Sequence, residues 1–313
     1  MDSGAAALPP QNPSGLIAEA KSMPIFDALL NGLTLGGMYA LIAIGLTLQY
    51  GVARIMNLSY GEFLIAAAFA AYWLFTSLAV NPLLGLVLVT PLSFALNWLI
   101  YRLLLLPLVR RAKTRAALEV DSILATFGLL FIVEGIVLVL FGGNYFNYSF
   151  FTGVIEILGT PLALNRLLAV GFALVLGLGL YLLLNHTRRG TAIRAVAVDP
   201  VAAQLVAIDV RASAALAFAL GGALVAASGV LVSMFLTFNA AMGVVFTMKA
   251  LIVVIMGGVG NLAGCLIAGL LLGLAESFVA TYIDPGLTIA ANFALFLIIL
   301  IVRPHGLFGR TVA

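Results

Sequence analysis

Charge is scarce in this chain of 313 residues: lysine, arginine, aspartate and glutamate together make up 9% of it. A water-soluble domain carries about 25% charged residues, so water is not the main solvent. Cysteine is nearly absent. Cys265 stands alone in an apolar run, which excludes a disulfide framework and leaves the redox compartment unreadable. Only two histidines occur, His186 and His305, far apart and near arginines. With no cysteine cluster either, this argues against a metal site, and no cofactor is expected. The pattern G-x-x-x-x-G-K-[ST] occurs nowhere, so the chain has no phosphate loop of its own.

Hydrophobic residues fill the space, at 64%, together with 32 glycines. That glycine content suits helices that approach closely in lipid through small side chains. The net charge is +3, and the basic residues cluster in short loops between apolar segments. Such clusters set membrane orientation and do not imply a nucleic-acid partner.

A helix needs roughly 20 mostly apolar residues to cross a bilayer. Residues 26–49, 61–80, 83–106, 122–141, 166–185, 213–236 and 262–282 meet or nearly meet that length, and 287–302 is shorter but strongly apolar. Residues 244–258 are apolar too, yet contain Lys249 and end in Gly257-Gly258-Val259-Gly260. They form either a short ninth span or a re-entrant half-helix. The expected fold is therefore all-α, a polytopic transmembrane bundle of eight to nine segments.

Arg102, Arg110, Arg111, Lys113 and Arg115 mark one cytoplasmic loop; Arg188, Arg189, Arg194 and Arg211 mark a second; Arg303 and Arg310 mark the C-terminus. The linker 142–165, without lysine or arginine, is expected outside. Alternation then places 51–59 inside and the N-terminus outside, provided 244–258 crosses. Residues 1–24 are polar and contain Pro9, Pro10 and Pro13, with no basic start followed by an apolar core. They do not read as a signal peptide. They form either a disordered tail or a stretch ahead of a natural start at Met23.

The second basic loop, 188–211, contains Asp199-Pro200, a helix start in which the carboxylate caps free amides and proline suits the first turn. Val201 and Leu205 then share a face at i, i+4 spacing. That face suits either a groove on a partner protein or the helix's own bundle.

The pattern Gly190-x-x-x-Arg194-Ala195-x-Ala197-x-Asp199-x-x-x-Ala203-x-Leu205-x-x-Ile208 resembles the coupling loop of LivH-type branched-chain amino acid permeases. Three further stretches resemble the same family: Asn31-Gly32 through Leu48, Asn57-Leu58-Ser59-Tyr60-Gly61-Glu62-Phe63, and Met248-Lys249-Ala250 continuing through Gly257–Asn261 to Gly264 and Gly273–Glu276. The resemblance runs in order from about residue 25 to residue 310. Two departures stand out: family members usually carry glycine where this chain has Ala207, and often histidine where it has Tyr60.

The resemblance implies a permease domain over 25–310, in a bacterial inner membrane. It implies a second homologous permease subunit, two ATP-binding subunits and a periplasmic substrate-binding protein that delivers an amino acid. Gly190, Arg194, Ala197, Asp199 and Leu205 are the expected coupling residues. Catalytic residues are not expected, since ATP hydrolysis would belong to partner chains.

Helix breaks at matching places in two halves point to a membrane binding site. Gly51-Val52 leads to Asn57-Leu58 and Gly61, while Gly258-Val259 leads to Asn261-Leu262 and Gly264. Asn57, Gly61, Glu62, Lys249 and Gly258 are accordingly expected along the translocation route. Ionisable groups within a span cost about 2.5–3.5 kcal/mol at its centre, so Glu62, Glu134, Lys249 and Glu276 need partners or water. Glu62 also reads as an interfacial residue capping its helix, and Lys249 with Glu276 as an ion pair bracing the short segment. Rival readings are a secondary transporter for small amino acids or amides, including urea-type substrates, an intramembrane enzyme, or a channel. The enzyme lacks facing serine and histidine, and a channel leaves the coupling-type loop unexplained.

Overall fold

A computed structural model describes residues 24–157 and 160–309. The expected N-terminal tail up to Met23, and Arg310, lie outside the described residues.

Among the described residues nine helical stretches are long and apolar enough to cross a membrane. In chain order the helices are α1 (Pro24–Ala53), α2 (Tyr60–Leu78), α3 (Pro82–Ile100), α4 (Leu106–Arg111), α5 (Arg115–Phe141), α6 (Leu164–His186), α7 (Arg188–Val198), α8 (Pro200–Leu205), α9 (Val210–Ser233), α10 (Gly243–Gly257), α11 (Leu262–Tyr282) and α12 (Thr288–Val302). This is the expected polytopic bundle. A wide turn at Tyr101–Leu105 joins α3 to α4, loosening the ladder where Pro107 donates no N–H. α5 starts seven residues before the expected span, because Thr114 caps it by accepting from the Ala117 N–H at 3.2 Å.

Two elements were not expected from the sequence. A small antiparallel hairpin pairs β1 (Val154–Ile157) with β2 (Thr160–Ala163) in the linker before α6. α7 turns the first half of the second basic loop into a helix, capped by the Thr187 hydroxyl, which accepts from the Gly190 N–H at 3.0 Å.

The bundle has two distinct ends. Gly51 at the end of α1 lies against Gly260, and residues 306–309 lie against Gly258. Tyr50 donates to Glu119 at 3.2 Å, and Arg54 donates to the Ala197 carbonyl at 3.3 Å. The basic loops therefore share one end, as the alternation requires. At the opposite end Phe146 pairs with Phe238, and Tyr148 and Ser233 share a hydrogen bond at 2.9 Å. α10 connects the two ends, so 244–258 crosses the bundle. Its 15 residues span only about 22 Å, and the short 3₁₀ turn Ala240–Met242 completes the path.

α9 is buried almost along its whole length, whereas α5, α6 and α12 expose aliphatic faces such as Val139, Val175 and Ile301. That is the pattern of helices facing lipid. α1 makes its most extensive contact with α11. Gly32 and Gly36 there meet Gly273 and Gly269, and a Cβ on Gly36 would stand 2.7 Å from the Leu270 Cα. Small residues four apart on both helices let the backbones touch.

Candidate functional site

After α1 the chain does not stay at the basic end. Residues 54–59 fold back into the bundle, with Ile55, Asn57 and Ser59 fully buried. The Tyr60 hydroxyl at the start of α2 lies within hydrogen-bond distance of the Ile42 carbonyl (3.0 Å) and the Gly221 carbonyl (3.1 Å), and its one proton serves either. Ile42 and Gly221 are each eleven residues from the basic ends of α1 and α9, about 16 Å deep at 1.5 Å per residue. The Gly61 N–H donates to the Thr247 hydroxyl at 2.8 Å, ten residues before the end of α10. Three helices thus put the first turn of α2 at about the middle of a 30 Å hydrocarbon core. The expectation that 51–59 is an inside loop is corrected: the segment 54–59 is buried in the bundle, and α2 begins about 16 Å from its basic end.

Buried polar atoms hold this re-entrant segment. The Gln49 side-chain amide donates to the Phe218 carbonyl at 2.9 Å, and its oxygen accepts from the Asn57 amide at 3.0 Å. The Asn57 oxygen accepts from the Ser59 N–H (3.1 Å) and hydroxyl (2.7 Å). Thr126 of α5 accepts from the Leu58 N–H at 3.1 Å. Backbone that would be orphaned in an apolar medium is satisfied by side chains, the condition for irregular structure at membrane depth.

Gly61 packs directly on Gly243 of α10, where any Cβ would overlap the Gly243 carbonyl and Thr247. Glu62 follows, 1% exposed, its carboxylate lying where Gly243 has no side chain. Its Oε1 is buried with no hydrogen-bond partner. Glu62 is therefore neither interfacial nor a cap, because the helix it begins starts inside the bundle. Seven residues outward on α2, Phe69 packs edge-on against Phe146 and Phe238, with ring centroids 5.3 and 5.0 Å away. This aromatic cluster covers the outer side of the Glu62 region.

At the basic end α7 and α8 present a second surface. Gly190 is buried, and a Cβ there would overlap the Leu183 and Leu184 carbonyls, so α7 turns tightly off α6. Ile193, Val196 and Ala203 face inward, while Arg194 and Asp199 are exposed. Asp199 accepts from the Val201 N–H (2.8 Å) and the Ala202 N–H (3.1 Å), as its place before Pro200 predicts. Val198, Val201, Leu205 and Val206 are all exposed, Leu205 at 85%. Val201 and Leu205 are thus not packed on their own bundle.

A family model described as the permease component of the branched-chain amino acid transport system matches residues 28–302. The chain belongs to that family. It is 29% identical over 297 residues to the high-affinity branched-chain amino acid transport system permease protein LivH of Escherichia coli (strain K12), covering 90% of this chain and 94% of that one. The corresponding permease protein BraD of Pseudomonas aeruginosa is also 29% identical, over 90% of this chain and 95% of its own. Among solved structures, PsaBC from Streptococcus pneumoniae in complex with Fab aligns with a TM-score of 0.51, over 92% of this chain and 95% of that chain. At 12% identity it speaks to fold alone.

In this permease the residues expected along the route fall into three places. Asn57, Gly61 and Glu62 gather at mid-depth. Lys249 points from α10 to a different side: its ammonium donates to both Glu276 oxygens (2.8 and 2.9 Å) and to the Tyr39 hydroxyl (2.7 Å). This is the ion pair between short segment and next span that the sequence suggested, and Asn292 of α12 adds a donor to Glu276 at 3.0 Å. Gly258 lies fifteen residues from Gly243, about 22 Å along α10, and ends that helix with φ +95°. The two breaks are not equivalent. The first folds inward, whereas the second is a tight turn at the basic end, where Asn261 caps α11.

Sequence reading passed over Thr247, Gln49 and Gly243 of the permease. A threonine and a glycine at i, i+4 in an apolar helix were the available signal for the Gly243–Thr247 face. An apolar cleft of about 220 Å³, lined by Leu46, Met56, Leu251 and Val259 among others, lies between α1 and α10.

Proposed function

We propose that this permease is the membrane-spanning subunit of an ABC importer in a bacterial inner membrane, passing branched-chain or related amino acids inward. It works beside a second homologous permease subunit and two ATP-binding subunits, and a periplasmic binding protein hands it the amino acid. Energy comes from those partners, since this chain has no phosphate loop of its own.

The observation that carries the coupling half of this reading is the apolar patch Val198, Val201, Leu205 and Val206, exposed beside Arg194 and Asp199 at the basic end. A short helix presenting aliphatic knobs fits a groove on a partner. Gly190 lets α7 sit tight on α6, Asp199 fixes the start of α8, and Leu205 is the most exposed knob. Movement of the ATPase pair would press on 188–211, and Ala197 would pass it through Arg54 to the segment 54–59. Asn57, Gly61 and Glu62 border the route at mid-depth, and Gly258 borders its inner mouth with the apolar cleft; Lys249 braces the wall.

Co-expression with the neighbouring ATPase and binding-protein subunits tests the reading. Wild type is expected to take up radiolabelled leucine with ATP hydrolysis. Arg194→Glu and Asp199→Arg are expected to insert and assemble while hydrolysis no longer drives uptake; unchanged uptake in both would count against the coupling role. The buried Glu62 carboxyl also suits a secondary transporter coupled to an ion. Uptake that persists without ATP and without ATPase subunits would select that reading instead.

A further inference from the structure

We propose that Glu62, assisted by Glu134 of α5, receives the ammonium group of the transported amino acid at mid-depth. The inference rests on the amino-acid reading above and adds to it the group that holds the cargo.

Glu62 is as buried as any apolar core residue, yet its Oε1 has no donor. Among the described residues the ion pair present is Lys249–Glu276, and its ammonium is spent on Glu276 and Tyr39. A second carboxylate, Glu134, lies on α5, which packs against α2. The half-buried Glu134 stands within the apolar span of α5. Two acidic side chains inside a bundle, neither of them in an ion pair among the described residues, form an incomplete arrangement. An uncompensated buried charge costs several kcal/mol, and a carboxylate pair adds repulsion.

A permanent lysine or arginine here would complete the pair and close the site. Without one, the carboxyl is balanced either by a proton or by a cation from elsewhere, and the ammonium of an amino acid is a cation that arrives and leaves. The surroundings suit such transient pairing. The Phe69–Phe146–Phe238 cluster excludes water from the outer side, and opposite charges attract more strongly where water is excluded. The missing side chain of Gly243 is what lets the carboxylate sit against α10.

Two measurements on the complete transporter test this. In proteoliposomes, Glu62→Gln is expected to lower leucine uptake at least tenfold while ATP hydrolysis stimulated by the loaded binding protein persists. Glu62→Asp should retain more uptake, and Glu134→Gln should lose a few-fold. In the wild-type assembly, millimolar leucine is expected to protect Glu62 from a hydrophobic carbodiimide, read by mass spectrometry, and 4-methylpentanoate, which lacks the ammonium, is not. Absence of leucine protection, or equal protection by sodium ions or by 4-methylpentanoate, overturns the inference. So does wild-type uptake in Glu62→Gln, and it leaves the importer reading intact. A wild-type transporter that moves no amino acid overturns that reading and this inference together.

Discussion

The Arg54 guanidinium donates to the carbonyl of Ala197 at 3.3 Å, joining the first residue of the re-entrant segment to the end of α7. Arg54 itself adopts φ +55°, a left-handed conformation that turns the chain back into the bundle after α1. One residue therefore both starts the inward fold and touches the loop to which a coupling role is assigned. A charged hydrogen bond is worth about 1.5–3 kcal/mol, enough to carry a mechanical link. Arg54→Ala is expected to insert normally and to lower uptake several-fold with ATP hydrolysis retained, and Arg54→Lys to recover part of the loss. Uptake measured per ATP hydrolysed checks it: an unchanged ratio in Arg54→Ala would show that the contact transmits nothing.

α8 ends in a left-handed turn on Ala207, at φ +58°. The Ile208 N–H donates back to the Ala203 carbonyl and the Ala207 N–H to Gln204, both at 3.1 Å, the paired bonds that close a helix of this kind. An L-residue in this conformation costs roughly 1–2 kcal/mol. Ala207→Gly is expected to stabilise the segment by about 1 kcal/mol. Slower proteolysis within 199–209 under native conditions would report it, and faster proteolysis would argue against it.

Lys249 and Glu276 are each 13% exposed and pair at 2.8 Å. Removing one partner leaves the other charged and enclosed, at a cost of about 3–5 kcal/mol. Lys249→Met should therefore lower the melting temperature of the purified protein strongly. Lys249→Met combined with Glu276→Gln should restore most of it, because no charge is left stranded. If the double variant melts as low as the single one, the pair is not what joins α10 to α11.

Much of this architecture is legible in the residues, and the failures share one cause. Apolar runs mark the spans, Asp199-Pro200 marks a helix start, and an isolated lysine and glutamate in adjacent spans mark their own pairing. The segment 54–59 was misread because Arg54, Asn57 and Ser59 look like residues of an aqueous loop. Their polarity is instead met inside the bundle by Gln49, Thr126 and backbone, a tertiary arrangement that local pattern does not carry. α7 was overlooked because its basic residues masked a helix whose apolar side is only Ile193 and Val196. For the candidate site, Asn57, Gly61 and Glu62 are singled out by resemblance and helix breaks. Gly243 and Thr247 are not, since their role exists only once α10 crosses α2.

That crossing can be tested by comparing two glycines. A Cβ on Gly61 would overlap the Gly243 carbonyl and crowd Thr247, whereas one on Gly128 of α5 meets nothing within 4 Å. Both glycines are helical, and alanine is intrinsically better there by about 1 kcal/mol. Gly128→Ala is therefore expected to express and transport as wild type or slightly better. Gly61→Ala must push α10 away from α2, breaking the Gly61–Thr247 bond and unseating Glu62 from its place over Gly243. Overpacking of this kind costs typically 1–3 kcal/mol. Gly61→Ala is expected to lose most transport and to melt several degrees lower in detergent. Serine at Gly61 should fare no better than alanine, since the clash begins at Cβ. Equal melting and uptake for Gly61→Ala and Gly128→Ala would show that α2 and α10 do not meet backbone to backbone.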